Sequence, residues 1–236
     1  MNYPKILVSF PTSDKKKYCE EAFLKQIKTF TYPLYDIFVV DNSKDSKEVK
    51  RWHKNGIKAV PEPIKGDFRE ELARHQNIIR EYFLNGDYDY LMMIESDVFT
   101  GECILERFVS HAEVSGAGAV TATYEIMREE PTLCLTSTVD SRAVRSEKLL
   151  ERSNGYNIIG KGVIDLRGLL DDSDARITAT GIGCTLFARE ALEHIKFRVD
   201  RKISDRAFSD TFVFTDIQKI GLKVLIDSDV ICEHRK

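Results

Sequence analysis

Strands and amphipathic helices alternate over residues 1–100, predicting an α/β fold: one domain with a mainly parallel, twisted sheet flanked by helices and a smaller antiparallel portion after it. Three observations carry this. The runs KILVSF, YDIFVV and YLMMI have the length and apolar character of strands buried on both faces, as in parallel sheets. The segments between them show helical spacing with recognisable stops, so consecutive strands are joined by helical crossovers of the right-handed kind. Beyond about Met127 the pattern weakens into charged, irregular sequence with short strand signals, as expected of loops and antiparallel additions.

Lys5–Phe10 is the first expected strand, with Pro11, Thr12 and Ser13 turning after it and Asp14 placed to cap a following helix. Ala22, Phe23, Leu24, Ile27 and Phe30 give that helix its period, and Tyr32–Pro33 breaks it. Tyr35–Val40 is the second strand, leading to Asp41. Ser46–Asn55 reads as a short helix closed by Gly56, and Lys58–Val60 as a brief third strand. Asp67–Asn85 is a long helix, with Phe68, Leu72, Ile78 or Ile79, and Phe83 expected inward.

The fourth strand opens Tyr90–Thr100. A helix to about Val114 follows, then a strand over Ala117–Tyr124 and weak strands at Leu133–Val139 and Val163–Leu166. Thr178–Phe187 is small and glycine-rich, where Gly181 and Gly183 imply close backbone approach by a ligand or another segment, the plainer alternative being a bend at a sheet edge. Arg189–His194 and Ser209–Ile220 read as helices, Gly221 as a stop and Lys223–Ile226 as a last strand. Val230–Lys236 reads as a tail carrying His234.

Composition narrows the function classes. The chain has 236 residues, 42% hydrophobic and 31% charged, which is ordinary for a folded domain. A net charge of −3 supplies no basic field for nucleic acid or an anionic membrane surface. MNYPKILVSF turns polar too soon for a signal peptide, and no run approaches the roughly 20 apolar residues of a membrane span. Five cysteines, Cys19, Cys103, Cys134, Cys184 and Cys232, lie far apart without a CxxC, which argues against a zinc cluster and a disulfide scaffold. The expected setting is the reducing cytoplasm, with no integral membrane segment.

The chemistry concentrates in YLMMIESDV. Glu95 and Asp97 stand i, i+2 at the end of a buried strand, where their charge needs compensation. Carboxyl ends of such strands are where ligands sit, and Mg²⁺ or Mn²⁺ bridges carboxylates to a substrate's phosphates. This predicts a metal–diphosphate site; the plainer alternative is a solvated acidic turn. GxGxxG and GxxxxGK[ST] are absent, which argues against a dinucleotide fingerprint and a P-loop.

In order and spacing these pieces resemble a GT-A nucleotide-sugar glycosyltransferase, most similar to the family-2 group, over nearly the whole chain. SFPTSD resembles that group's nucleotide-binding strand, which implies that Pro11 and Thr12 line the donor. YDIFVVDNSKDS resembles its second strand, implying a base contact for Asp41. ELARHQN resembles the helix aimed at the diphosphate, YLMMIESDV stands where the DxD motif stands, and GIGCTLFAREAL resembles the acceptor-side glycine segment with Gly181 and Gly183. FSDTFVFTDIQKIGLKVLIDSDVICEH resembles the C-terminal acidic helix, strand and metal-binding histidine. Three departures stand out: Glu95 replaces the first Asp of the motif, Ser209–Asp210 replaces a Glu-Asp pair, and the glycine run before the Arg74 helix is reduced to Gly66.

The resemblance implies a glycosyltransferase with a UDP- or GDP-sugar donor, a glycan or glycolipid acceptor, Mn²⁺ or Mg²⁺, a donor half over 1–100 and an acceptor half over 101–236. Asp97 and His234 are the expected metal ligands, Glu95 and Ser96 donor contacts, and Asp210 the candidate base. Arg74 and Asn77, i, i+3 on one helical face, can reach one ligand together, although Arg74 can equally pair with Glu70 or Glu71. A helix N-terminus favours an acidic residue by capping and dipole alone, which leaves Asp210 two explanations. Two other classes fit less well. A nucleotidyltransferase usually carries a glycine-rich loop where this chain has FPTSDKKK, and an inactive sugar- or nucleotide-binding module has no reason to keep Asp97, Asp210 and His234.

Overall fold

A computed structural model describes residues 3–126, 132–137, 143–145, 162–168, 177–203 and 208–235. Its centre is a parallel group of four strands: β1 (Ile6–Thr12), β2 (Tyr35–Asp41), β3 (Lys58–Pro61) and β4 (Tyr90–Ile94). They lie in the order β3-β2-β1-β4, so the chain moves outward from β1 to β3 and then returns to the other side of β1. β11 (Cys184–Ala188) runs antiparallel beside β4, and β6 (Ala117–Ile126) antiparallel beside β11. β7 (Thr132–Ser137), β8 (Ala143–Arg145) and β10 (Ile177–Thr180) extend the antiparallel side.

β12 (Lys223–His234) closes the molecule. It runs parallel to β6, pairs antiparallel with β9 (Val163–Asp165), and its end pairs with the two-residue β5 (Val98–Phe99). The register against β6 shifts between Ile226 and Ile231, so the strand bends partway along. This corrects the reading of a short strand followed by a tail: His234 is a strand residue, opposite Val98.

Helices cover both faces. α1 (Glu20–Lys28), α2 (Lys50–Lys54) and α4 (Ile104–Ser115) pack Phe23, Ile27, Trp52 and Phe108 onto one face of the sheet. α3 (Phe68–Leu84), α5 (Arg189–His194) and α6 (Ser209–Lys219) pack Ile79, Phe83, Leu192 and Phe214 onto the other. Strand residues alternate between these two cores. In β4, Met92 and Ile94 join the first and Leu91 and Met93 the second, which is why the run is apolar at every position.

The caps explain most boundaries. Asp67 caps α3 by accepting from Arg69 N and Glu70 N, and Gly56, Gly116 and Gly221 take the left-handed backbone that ends α2, α4 and α6. Ser13, rather than Asp14, does the capping after β1: its side chain accepts from Lys15 N at the head of a short 3-10 turn, and α1 starts only at Glu20. Pro11 and Thr12 belong to β1 itself, pairing with Val40 and Asp41, instead of turning. On α3 the inward set is Ala73, Ile79 and Phe83, whereas Phe68 is 53% exposed and meets the edge of Phe208. Cys19, Cys184 and Cys232 are buried thiols, as expected, and Cys103 is an exposed one. The weak-strand expectation at Leu133–Val139 matches β7 as far as Ser137, and the rest of 127–175, apart from the strands named, lies outside the described residues. No helix among the described residues is long and apolar enough to cross a membrane.

Arg189 ties the second face together. At the start of α5 it donates to the carbonyls of Phe83, Leu84, Gly86 and Tyr88, which end α3 and lead into β4. Its guanidinium also lies over the Phe83 ring. Arg189→Met is expected to destabilise the chain by about 1–3 kcal/mol, read as a lowered urea midpoint with an unchanged m value.

Candidate metal and donor site

The strand order decides where a site can form. The crossover β1–α1–β2 covers one face and β3–α3–β4 the other, so a crevice opens outside the carboxyl ends of β1 and β4. Thr12 ends β1 there, and Glu95-Ser96-Asp97 follows β4. The acidic turn is fixed on several sides. Val98 N donates to Glu95 O within it, Glu95 N donates to Gly183 O before β11, and Arg235 N donates to Asp97 O after β12. Ser96 shares a 2.9 Å hydrogen bond with the Thr12 hydroxyl, and Cys19 Sγ donates to Ser96 O.

This frame brings Glu95, Asp97 and His234 together, with one ligand atom of each lying within 4.8 Å of the others. Asp97 is only 2% exposed. His234 Nε2 donates to its Oδ2 at 3.1 Å, and Lys16, from the 3-10 turn after β1, forms an ion pair with the same oxygen. His234 also meets the edge of the Tyr124 ring, centroids 5.3 Å apart. Gly183 is required beneath that ring, since a Cβ there would lie 2.8 Å from Tyr124 Cε1. The close approach anticipated at this glycine is therefore by another segment of the chain, and Gly181 is buried beside it.

The electrostatics are unequal. Burial pushes the Glu95 carboxyl up to about 7, the Asp97 charge adds to the rise, and His234 and Lys16 oppose it. Burial also works against the Asp97 charge, but hydrogen bonds from His234 and Lys16 outweigh it and hold that carboxyl below its usual range. Asp210, in the first turn of α6, is pushed up to about 6 by burial, against the Thr211 N–H that it accepts at 2.7 Å. Repulsion from Asp210 is the smallest of the influences that raise the Glu95 carboxyl. Ser209, beside it, donates to Gln76 Oε1 at 2.5 Å and so docks α6 on α3.

The remaining expected residues take other partners. Asp41 is buried and accepts from Trp52 Nε1 and Ser43 N, with Arg51 3.2 Å away. Arg74 lies between Glu62 and Glu71, and its guanidinium also meets His75. Asn77 spans to Phe197, accepting from its N–H and donating to its carbonyl. Neither Arg74 nor Asn77 joins the acidic cluster. Lys16 is the site residue that sequence reasoning missed, since nothing in the lysine triplet 15–17 singles out its middle residue as the one turned toward Asp97.

Neither a family model nor a curated protein matches the sequence. Solved structures do match. A mannosyltransferase from Pyrobaculum calidifontis, PcManGT, in complex with GDP-Man and Mn²⁺, superposes over 99% of this chain with a TM-score of 0.62 at 19% identity. The fold is GT-A-like. Staphylococcus aureus TarS superposes over 98% of the chain, with a TM-score of 0.62 and 11% identity. The chain spans 57% of the first protein's length and 37% of the second's. The α/β architecture expected from the sequence thus holds in its specific form, a parallel donor-side sheet continued by an antiparallel portion.

Gly183→Ala must push the Tyr124 ring away from its place against His234. The expected cost is about 1–3 kcal/mol of stability, seen as a lower midpoint in chemical denaturation; an unchanged midpoint would show that the ring has room to give.

Proposed function

We propose that this chain is a metal-dependent glycosyltransferase that moves a sugar from a UDP- or GDP-sugar to a hydroxyl of a glycan or glycolipid acceptor in the cytoplasm. The observation that carries the reading is the convergence of Glu95, Asp97 and His234 at the crevice between β1 and β4. Two carboxylates and an imidazole form a donor set that suits Mn²⁺, and the carboxylates alone suit Mg²⁺. When bound, the ion would offset the negative charge that grows on the departing diphosphate. The fold shared with a protein that holds GDP-Man and Mn²⁺ supports the same donor chemistry.

In this reading residues 1–100 form the donor half and 101–236 the acceptor half. Asp97 and His234 hold the ion, and Glu95 completes the set or meets the ribose. Pro11, Thr12 and Ser96 line the crevice floor, with Asp41 at its base end. Arg74, partly exposed between its two glutamates, is the cation on the donor side of α3, and Asn77 keeps that helix in register with the Phe197 segment. Gly181 and Gly183 shape the acceptor side. Asp210 takes the proton from the attacking hydroxyl; its raised pKa suits a base working near neutrality, and its stability penalty is what a functional charge leaves behind.

A thermal-shift panel tests the donor site. UDP or GDP with Mn²⁺ is expected to raise the melting temperature by several degrees, and the rise to vanish with EDTA or in Asp97→Ala. No shift with any nucleotide under any metal returns Glu95–Asp97 to a plain acidic turn.

Asp210 gives a pH test with opposite signs for activity and stability. Transfer requires the ionised base, so kcat/KM is expected to fall about tenfold per unit below pH 6. Folding, in contrast, binds a proton here. The unfolded chain loses it in the ordinary carboxylate range and the folded chain only at about 6, so this group's contribution to stability declines as pH rises through that window. Asp210→Asn is expected to lower kcat by about 10²–10⁴ and to raise stability at pH 7.5 by on the order of 1 kcal/mol. Retained turnover removes Asp210 from the mechanism.

A further inference from the structure

Lys16 has no role in the reaction described above, yet it sits on the atom that matters most. Its ammonium pairs with Asp97 Oδ2, the same carboxylate oxygen that His234 Nε2 meets. A divalent ion held by Glu95, Asp97 and His234 would draw on the same carboxylate, and two cations beside one carboxylate repel each other.

The backbone around Lys16 is pinned. Lys16 N donates to Ser13 O, and Cys19 N donates back to Lys16 O. Asp14 N donates to Ser43 Oγ, Tyr18 OH donates to Arg235 O, and Cys19 Sγ donates to Ser96 O. The loop is thus fixed to β2's exit, the acidic turn and the end of β12. The side chain beyond it is a four-carbon stem, 38% exposed, bearing a compact charge with three donors that can change partner without moving the loop. Lys16 lies four residues after Thr12, whose hydroxyl meets Ser96 of the acidic turn, where a donor's phosphates would lie in the proposed reading.

We propose that Lys16 is a tethered cation that competes with the divalent ion for Asp97 and passes to a phosphate oxygen of the bound nucleoside diphosphate once the ion takes that carboxylate. The ion and Lys16 then act on the diphosphate together, and the buried Asp97 is never left without a counter-charge. The role rests on the metal–donor reading of the same site.

The test uses the six-line EPR signal of free Mn²⁺ to follow binding to the full chain, and calorimetry to follow UDP and GDP at saturating Mn²⁺. An opposite charge beside a carboxylate changes its affinity for a proton by about one to three powers of ten, and the lower end is the expected scale here. Lys16→Met is expected to bind Mn²⁺ about tenfold more tightly without nucleotide, and the preferred nucleotide about tenfold more weakly. Lys16→Gln, checked by far-UV circular dichroism, should repeat both effects. Unchanged or weaker Mn²⁺ binding in both variants overturns the competition, and unchanged nucleotide affinity overturns the hand-over. Asp97→Asn separates this from the site itself. If it loses Mn²⁺ while the Lys16 variants match the parent, only the Lys16 role falls; if it binds Mn²⁺ as the parent does, the metal site falls and the Lys16 role with it.

Discussion

The buried negative charge of Asp97 is the constraint on which the rest of this structure depends. A carboxylate 2% exposed at the end of a hydrophobic strand is untenable alone. The fold answers it with two positive or proton-bearing partners from distant parts of the chain. Lys16 comes from the turn after β1, and His234 from the end of β12. Glu95, two residues earlier, is less buried, has no ion pair among the described residues, and its carboxyl is pushed up to about 7, largely by desolvation. The site therefore contains one carboxylate fixed in its charged form and one poised to change, and a divalent ion would settle both.

The surrounding architecture serves that arrangement. The reversal of strand order around β1 brings Thr12 and the acidic turn together at the carboxyl ends of β1 and β4, between helices packed on opposite faces. Backbone bonds from Gly183 and Arg235 then set the turn's position from the antiparallel side. The parallel group supplies the acidic turn, and the antiparallel portion supplies its clamp.

Much of this was legible in the sequence because it is written in local patterns. The doubly buried run Tyr90–Ile94, the helix over Asp67–Asn85 and the Gly221 terminator each express short-range chemistry, and the structure keeps each within a residue or two. The convergence of Glu95, Asp97 and His234 was legible only through resemblance, because no local rule links a carboxylate to a histidine 137 residues away. What stayed hidden depended on tertiary choice. His234 looked like a solvated tail because β12 continues through a register shift that breaks its period. Phe68 looked like a core residue from helical spacing, yet α3 first enters the second core at Ala73. Lys16 was indistinguishable from Lys15 and Lys17 until the turn was seen to aim one of the three inward.

The position of His234 also imposes an order on assembly. β5 has no strand partner among the described residues other than the end of β12, and the imidazole arrives on that same strand. A nascent chain leaving the ribosome thus presents Glu95 and Asp97 long before their third partner exists. If Glu95, Asp97 and His234 hold an ion as proposed, its tight binding has to wait until translation has passed His234 and β12 has docked. Under the proposed function, ion capture therefore follows the docking of β12 and does not nucleate the fold of the donor-side sheet.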